Sequence, residues 1–212
     1  MTTYGTMQDR IADELDRADL TTQIKRAIQS AIAYYNKQRF WFTENRTSLS
    51  FATVDGTEFY GASADSDIPN LIFIDNLRIA ISSTDKYDLE RVPYTELDSR
   101  SDGITADEGK PYSFAYYAKQ IRLYPIPDAS YSIFGSAIMH LGDLSVTTDT
   151  NNWMTDGEAL IRARAKWELY THVVKDIESA RLMKEAEKEE LRELIAATNS
   201  RSSTGQLIAT AF

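Results

Sequence analysis

The sequence predicts an α+β protein in which helices from the two ends of the chain form an antiparallel bundle around an inserted, mainly antiparallel β region. Three observations lead there. Apolar residues recur at helical spacing near the N-terminus and again after Thr155. Between about residues 41 and 150 the apolar period falls to two, with turn residues at intervals. The chain has 212 residues and no internal repeat, which fits one domain carrying an insertion.

The first helix is expected over about residues 6–19, started by Thr6 and Asp9 and carrying Ile11 and Leu15 on one face. Leu20-Thr21-Thr22 interrupts it. A second helix over about 22–40 has Ile24, Ala27, Ile28, Ala31, Ile32 and Tyr35 along an apolar stripe. At Phe40-Trp41-Phe42 β-favouring aromatics take over. Strand candidates follow at Thr47–Phe51, Glu58–Tyr60, Leu71–Ile74, Leu77–Ile81 and Lys86–Val92, with Asp55-Gly56 as a hairpin signal. Tyr94–Leu97 reads as a short helical turn and Ser99–Gly109 as a loop. Tyr112–Tyr117 and Gln120–Tyr124 flank Ala118-Lys119, the pattern of a tight hairpin, and Tyr131–Leu141 alternates again. Thr155 and Glu158 form a capping box for a helix over about 155–174, and Asp176 caps a last one over about 177–198. A hairpin and one continuous helix both fit this region; the hairpin is the reading adopted. Leu160 and Trp167, seven residues apart on one face, are expected in the core, together with Trp153.

Composition narrows the function. With Cys 0, neither a disulfide nor a thiolate nucleophile is possible. No apolar run is long enough to span a bilayer, and the N-terminus lacks the basic and apolar regions of a signal peptide. The formal net charge of -9 argues against a protein that grips nucleic acid, because phosphate affinity comes mainly from Lys and Arg. It permits a protein that DNA passes without sticking, and equally an acidity that serves only solubility.

Nothing in the chain reads as catalytic or metal-binding machinery. His140 and His172, the two histidines, are far apart and lack ligand spacing. Asp65-Ser66-Asp67 starts like a calcium loop but lacks its later Gly and closing Glu. Asp143, Asp149 and Asp156 read better as loop and helix-start residues than as an acid/base set. No nucleophile elbow, phosphate loop or dinucleotide glycine pattern is present. Twelve Tyr, eight Phe and three Trp are many for this length and point to core or inter-subunit packing.

The more specific signal is an ordered set of short motifs. These are Arg39-Phe40-Trp41-Phe42 after a tyrosine-rich helix end, Val92-Pro93-Tyr94-Thr95-Glu96-Leu97, Lys110-Pro111-Tyr112, Ile121-Arg122-Leu123-Tyr124-Pro125-Ile126-Pro127-Asp128, and Asn151-Asn152-Trp153 at a helix start. Together, over about residues 6–199, they resemble the head-to-tail adaptor (connector) proteins of tailed bacteriophages. That family commonly has Leu-Pro before its central strand, where this chain has Ile68-Pro69-Asn70-Leu71.

The resemblance implies a structural virion protein with no enzymatic activity and no cofactor. It implies a dodecameric ring of the chain beneath the portal protein, prolonging the DNA channel and attaching the tail or the next neck protein. Double-stranded DNA would pass through the lumen without tight binding, and no membrane is involved. The protein would reside in the virion neck after assembly in the host cytoplasm. Another neck or tail-completion ring protein, a virion-associated hydrolase and a ligand-binding domain are the rival readings. The last segment, 200–212, is small and polar at first and then carries Leu207, Ile208 and Phe212, so it is expected to be a mobile docking arm.

Overall fold

The structure, a computed structural model, describes residues 2–101 and 107–202. In chain order the helices and strands begin with α1 (Tyr4–Leu15) and α2 (Thr21–Tyr35), then β1 (Glu44–Ala52), β2 (Phe59–Tyr60), β3 (Leu71–Ala80), β4 (Lys86–Asp88) and β5 (Glu90–Arg91). Next come α3 (Tyr94–Ser101), β6 (Glu108–Gly109), β7 (Ser113–Tyr117), β8 (Gln120–Tyr124), β9 (Ile126–Pro127) and β10 (Ser132–Met139). The last described elements are α4 (Asn152–Thr155), α5 (Glu158–Leu169), a π-helical turn over Tyr170–Val174, and α6 (Ile177–Ser202). The fold is mixed α+β and divides into two compact units: Met1–Thr43 with Leu141–Phe212, and Glu44–His140.

In the helical unit, α1 starts earlier than the sequence pattern indicated. Thr3 is the N-cap and forms the capping box with Thr6, so Thr6 is its third helical residue and not the cap. The first helical amides, Tyr4 N and Gly5 N, donate to the carbonyls of Asp149 and Thr147 at 2.8 Å. The buried face of α1 is Tyr4, Met7, Gln8 and Ile11, and that of α2 is Ile24, Ala27, Ile28, Ala31 and Tyr35. Helix α2 stops at Tyr35, short of residue 40. Phe40, Trp41 and Phe42 do not open a strand; Trp41–Thr43 is a 3₁₀ turn, and Phe40 and Phe42 are buried in the helical core. Packing overrides β-propensity here, because the three rings of Phe40, Phe42 and Trp153 meet with centroids 5.0–5.4 Å apart.

The returning chain is fixed at the same place. Asn151 caps α4 by accepting from Trp153 N, and its side-chain amide donates to Gly142 O. Asn152 donates to Phe42 O at 2.7 Å, and the Trp153 indole N–H donates to Asn36 Oδ1 at 2.8 Å. Asn151, not Thr155, is therefore the side-chain cap of this region, and α5 starts after Gly157 without one. A β-carbon on Gly157 would lie 2.6 Å from the Trp153 ring, so glycine is needed where α4 turns into α5. Lys175 in the left-handed region (φ 61°) ends the π-helical turn, and Asp176 Oδ1 accepts from Glu178 N and Ser179 N to start α6.

The β unit is narrower than the alternation indicated, Glu44–His140 instead of about 41–150. One sheet has the order β1-β10-β3-β4, wholly antiparallel. A second has the order β2-β8-β7-β5, with β5 parallel to β7, and β6 pairs in parallel with β9. The turn at Asp55-Gly56 exists, with Gly56 at φ 69°, yet it joins no hairpin: β1 pairs with β10 and β2 with β8. Ala118 and Lys119, both at positive φ, do make the tight β7–β8 hairpin. Leu71–Ala80 is one strand, broken in register at Asp75 opposite the Ser136–Ala137 step. Gly135 lies beside that step, where a β-carbon would come 2.4 Å from Asn76 O.

Residues from both larger sheets share one core, including Leu49, Leu77, Ile79, Phe114, Ile121, Leu123 and Ile133. The Ile121–Asp128 motif is explained by this arrangement. Ile121 and Leu123 point into the core, Pro125 ends β8, Pro127 O accepts from Gly56 N, and Asp128 accepts from the Tyr131 hydroxyl. On the other side of β7–β8, Leu97 of α3 packs with Val92, Ala115 and Tyr124.

Trp153 is fully buried and its indole N–H is bonded, so Trp153→Ala is expected to cost about 3–5 kcal/mol, read by denaturant unfolding of the full chain. Gly157→Ala, which drives a methyl group into the same ring, is expected to lower the melting temperature as well.

Candidate functional site

Three clusters gather the unusual chemistry of the chain. The first joins α2, α5 and α6 at one carboxylate. Glu187 on α6 is 3% exposed. Its Oε1 accepts from the Tyr35 hydroxyl at 2.5 Å and from Arg164 Nη1 at 3.0 Å, and its Oε2 accepts from Lys184 Nζ at 2.8 Å. Burial works against its ionised form, but the bonds from Lys184, Tyr35 and Arg164 outweigh it and hold the carboxyl below the usual glutamate value of 4.5. Burial, reinforced by the neighbouring carboxylate, pushes the Tyr35 hydroxyl well up, so it remains a donor.

Trp167 belongs to this cluster and not to the apolar core. Leu160 is fully buried, but Trp167 is half-buried, with the Arg164 guanidinium 4.4 Å and the Lys184 ammonium 4.6 Å from its ring centre. Helical spacing places Leu160 and Trp167 on one face; what differs is the facing residue, which at Trp167 is a lysine of α6. Arg164 also covers Tyr34, at 4.1 Å. The far end of α6 is held by Trp41: its backbone N–H donates to Thr198 Oγ1, and Arg201 lies 3.5 Å above its ring.

The second cluster is an ionic seam between α1 and α5. Arg162 and Lys166 bind Glu14 at 2.6 and 2.5 Å, and Arg10 binds Glu158 at 3.0 Å. Burial opposes ionisation of Glu14, but Lys166 and Arg162 hold its carboxyl below the usual range.

The third cluster lies in the β unit. Arg122 is 4% exposed, and its guanidinium bonds Glu58 Oε1 at 2.5 Å and Asp98 Oδ1 at 3.0 Å. It lies between the rings of Phe59 and Tyr94, at 5.3 and 5.0 Å. Tyr117 stacks on Tyr94 at 4.6 Å, and Phe59 and Tyr117 leave much of their rings exposed. Sequence periodicity marks Arg122 only as the odd residue in an apolar strand; the carboxylates that compensate it come from Glu58 and Asp98, which no spacing rule connects.

The remaining titratable candidates lie in loops, turns and helix ends. His140 is exposed just past β10, and His172 lies in the π-helical turn with its ring edge-on to Trp167 at 6.2 Å. Asp65 accepts from Ser50 N and Asp67 N, and Asp149 accepts from Ser145 N and Val146 N, bonds that hold the Asp149 carboxyl below the usual range. Asp143 and Asp156 are likewise in the Leu141–Asn151 return and at the α4 end, and Asp156 accepts from the Thr155 hydroxyl. Among the described residues no group of three or more His, Cys, Asp or Glu could hold a metal ion, and no helix is long and apolar enough to cross a membrane. Leu207, Ile208 and Phe212 lie outside the described residues.

The buried cations and carboxylates thus fix helices and strands to one another, while aromatic rings and unused charges are left at the surface. The model of the SU10 adaptor protein family matches residues 2–209, and the chain belongs to this family of bacteriophage structural proteins. No curated protein matches it.

The Glu187 cluster makes a pH-dependent contribution to stability. Because the folded-state pKa lies below the unfolded one, this contribution is complete above about pH 4.5 and is lost as pH falls through the lowered value. Glu187→Gln is expected to flatten that part of the acid limb of stability against pH. Glu187→Ala, which strands Arg164 and Lys184, is expected to cost about 3–5 kcal/mol. Trp167→Ala is expected to cost less, about 1–2 kcal/mol, because its ring is partly solvated and mainly loses two cation–π contacts.

Proposed function

We propose that the protein is a head-to-tail adaptor that acts by assembly, without catalysis or cofactor. Twelve copies form a ring beneath the portal protein, prolong the DNA channel, and offer the attachment site for the tail or the next neck protein. The observation that carries this reading is the adaptor-family match over residues 2–209. Charge supports it. Of the 32 acidic and 23 basic residues, 15 and 8 fall within Glu44–His140, so -7 of the net -9 belongs to the β unit. An acidic wall repels the duplex and lets it pass without tight binding.

A density map of the particle neck with this chain traced tests the reading. A ring between portal and tail is expected; a chain located elsewhere in the particle, or absent from it, overturns the proposal. The isolated protein is expected to show no tight, salt-sensitive binding to duplex DNA in a titration followed by anisotropy.

We also propose that Leu207, Ile208 and Phe212 form a docking arm, with the portal as first partner and a neighbouring copy as second. Helix α6 runs to Ser202 and Arg201 covers Trp41, so the informative truncation removes only residues 203–212. The shortened protein is expected to keep its melting temperature and to lose attachment to portal-bearing heads. Attachment at wild-type strength would leave the segment without a docking role.

A further inference from the structure

Helix α2 has a face that neither the packing of the helical unit nor the adaptor reading uses. From Leu20 to Thr43 the sequence contains Lys25, Arg26, Lys37 and Arg39 and no acidic residue, within a chain of net charge -9. Opposite its buried face, Thr22, Arg26, Gln29, Ser30 and Ala33 recur at helical spacing, continue to Lys37, and are all exposed. Among the described residues, Arg26 and Lys37 have no ion-pair partner, unlike the cations of the α1–α5 seam. Beside the stripe runs a groove of about 440 Å³, bounded by Gln29, Ile32, Ala33 and Asn36 and by the Gly142–Ser145 loop.

Resting on the ring reading above, we propose that this face of α2 is the lateral contact between copies, seated against the acidic β unit of the next copy. Charge complementarity selects that occupant. The β unit carries -7, and its Asp55, Asp85, Glu90 and Glu108 are exposed with no ion-pair partner among the described residues. The small side chains of Thr22, Ser30 and Ala33 allow close approach, while the half-buried Ile32 gives the groove some apolar surface for a partner to cover. A duplex suits the same face poorly, because Asp143 stands in the groove wall and few unpaired cations are spread along the stripe. The contact is heterologous, joining two different surfaces of the chain, the kind of contact that builds a ring when its rotation closes.

Particles assembled with a benzophenone amino acid in place of Ala33 test the proposal. Irradiation is expected to give a species of twice the chain mass on a denaturing gel, with the cross-link mapping within residues 44–140 of the second copy. A cross-link to DNA, to another virion protein or to the helical unit of the second copy overturns it, and so does the absence of any adduct. Arg26→Glu with Lys37→Glu provides an independent reading, since both side chains are exposed and the fold can be verified by its melting temperature. Incorporation into particles is expected to fall about tenfold or more, and a lysine at the cross-linked acidic residue is expected to restore it. Wild-type incorporation of the double variant overturns the contact. Particles whose neck map shows the ring while position 33 cross-links elsewhere reject this inference alone; particles without the ring reject the adaptor reading itself.

Discussion

Trp153 carries the constraint on which the helical unit depends. The chain leaves this unit after Thr43 and returns at Leu141, so a single core must be completed by segments that are remote in sequence. The two crossings are locked to each other. Phe40 and Phe42, just before the exit, pack edge-on against the Trp153 ring, and Phe42 O receives the Asn152 amide. Asn36, at the end of α2, receives the indole N–H. A tryptophan can do this because it offers a large apolar surface and one directional donor. Replacing the ring leaves a void and also frees the end of α2 and the start of α4, which is why the two asparagines and the tryptophan occur as one run.

The Glu187 cluster solves a different problem. Helix α6 presents a thin apolar stripe, with Ala180, Leu191 and Leu194 against the core and Glu, Lys and Arg between them. A stripe that thin packs comparably well in neighbouring registers. A buried carboxylate with donors from Tyr35, Arg164 and Lys184 does not, because sliding by one turn strands a charge away from water. The net stability of such a cluster is modest, since desolvation offsets much of the attraction, but the penalty for breaking it is large. The same rule describes Arg122 of β8, held by Glu58 just before β2 and by Asp98 of α3.

What was legible in the sequence was whatever depends on local periodicity. The apolar faces of α1 and α2, the β7–β8 hairpin at Ala118-Lys119, the Asp176 cap, the α+β class and the adaptor motifs were all readable because each lies within one turn or one strand pair. What failed depended on partners distant in sequence. Asp55-Gly56 makes its turn, but β1 is claimed by β10 and β2 by β8. Phe40-Trp41-Phe42 has strand propensity, but Trp153 takes two of its rings into a helical core. Trp167 has the spacing of a core residue and meets Lys184 instead of an aliphatic chain. Arg122 and Glu187 were invisible as centres because their counter-charges come from other elements.

Charge is distributed between the units according to its use. The helical unit is nearly balanced, with 17 acidic and 15 basic residues, and it employs many of them in internal pairs such as Glu14 with Arg162 and Lys166. The β unit holds most of the excess negative charge, and several of its carboxylates face solvent unmatched. In the proposed ring, copies that set β unit against β unit would repel one another, and the acid-free stretch from Leu20 to Thr43 is the basic surface proposed to take that place. Because screening confines such attraction to about 8 Å at physiological salt, it operates only across a direct contact. It should therefore weaken with ionic strength, whereas the more deeply buried Arg164–Glu187 and Arg122–Glu58 pairs within the units are screened far less. The proposed contact and the folded units thus differ in salt sensitivity, and salt becomes the variable that separates a failure of one from a failure of the other.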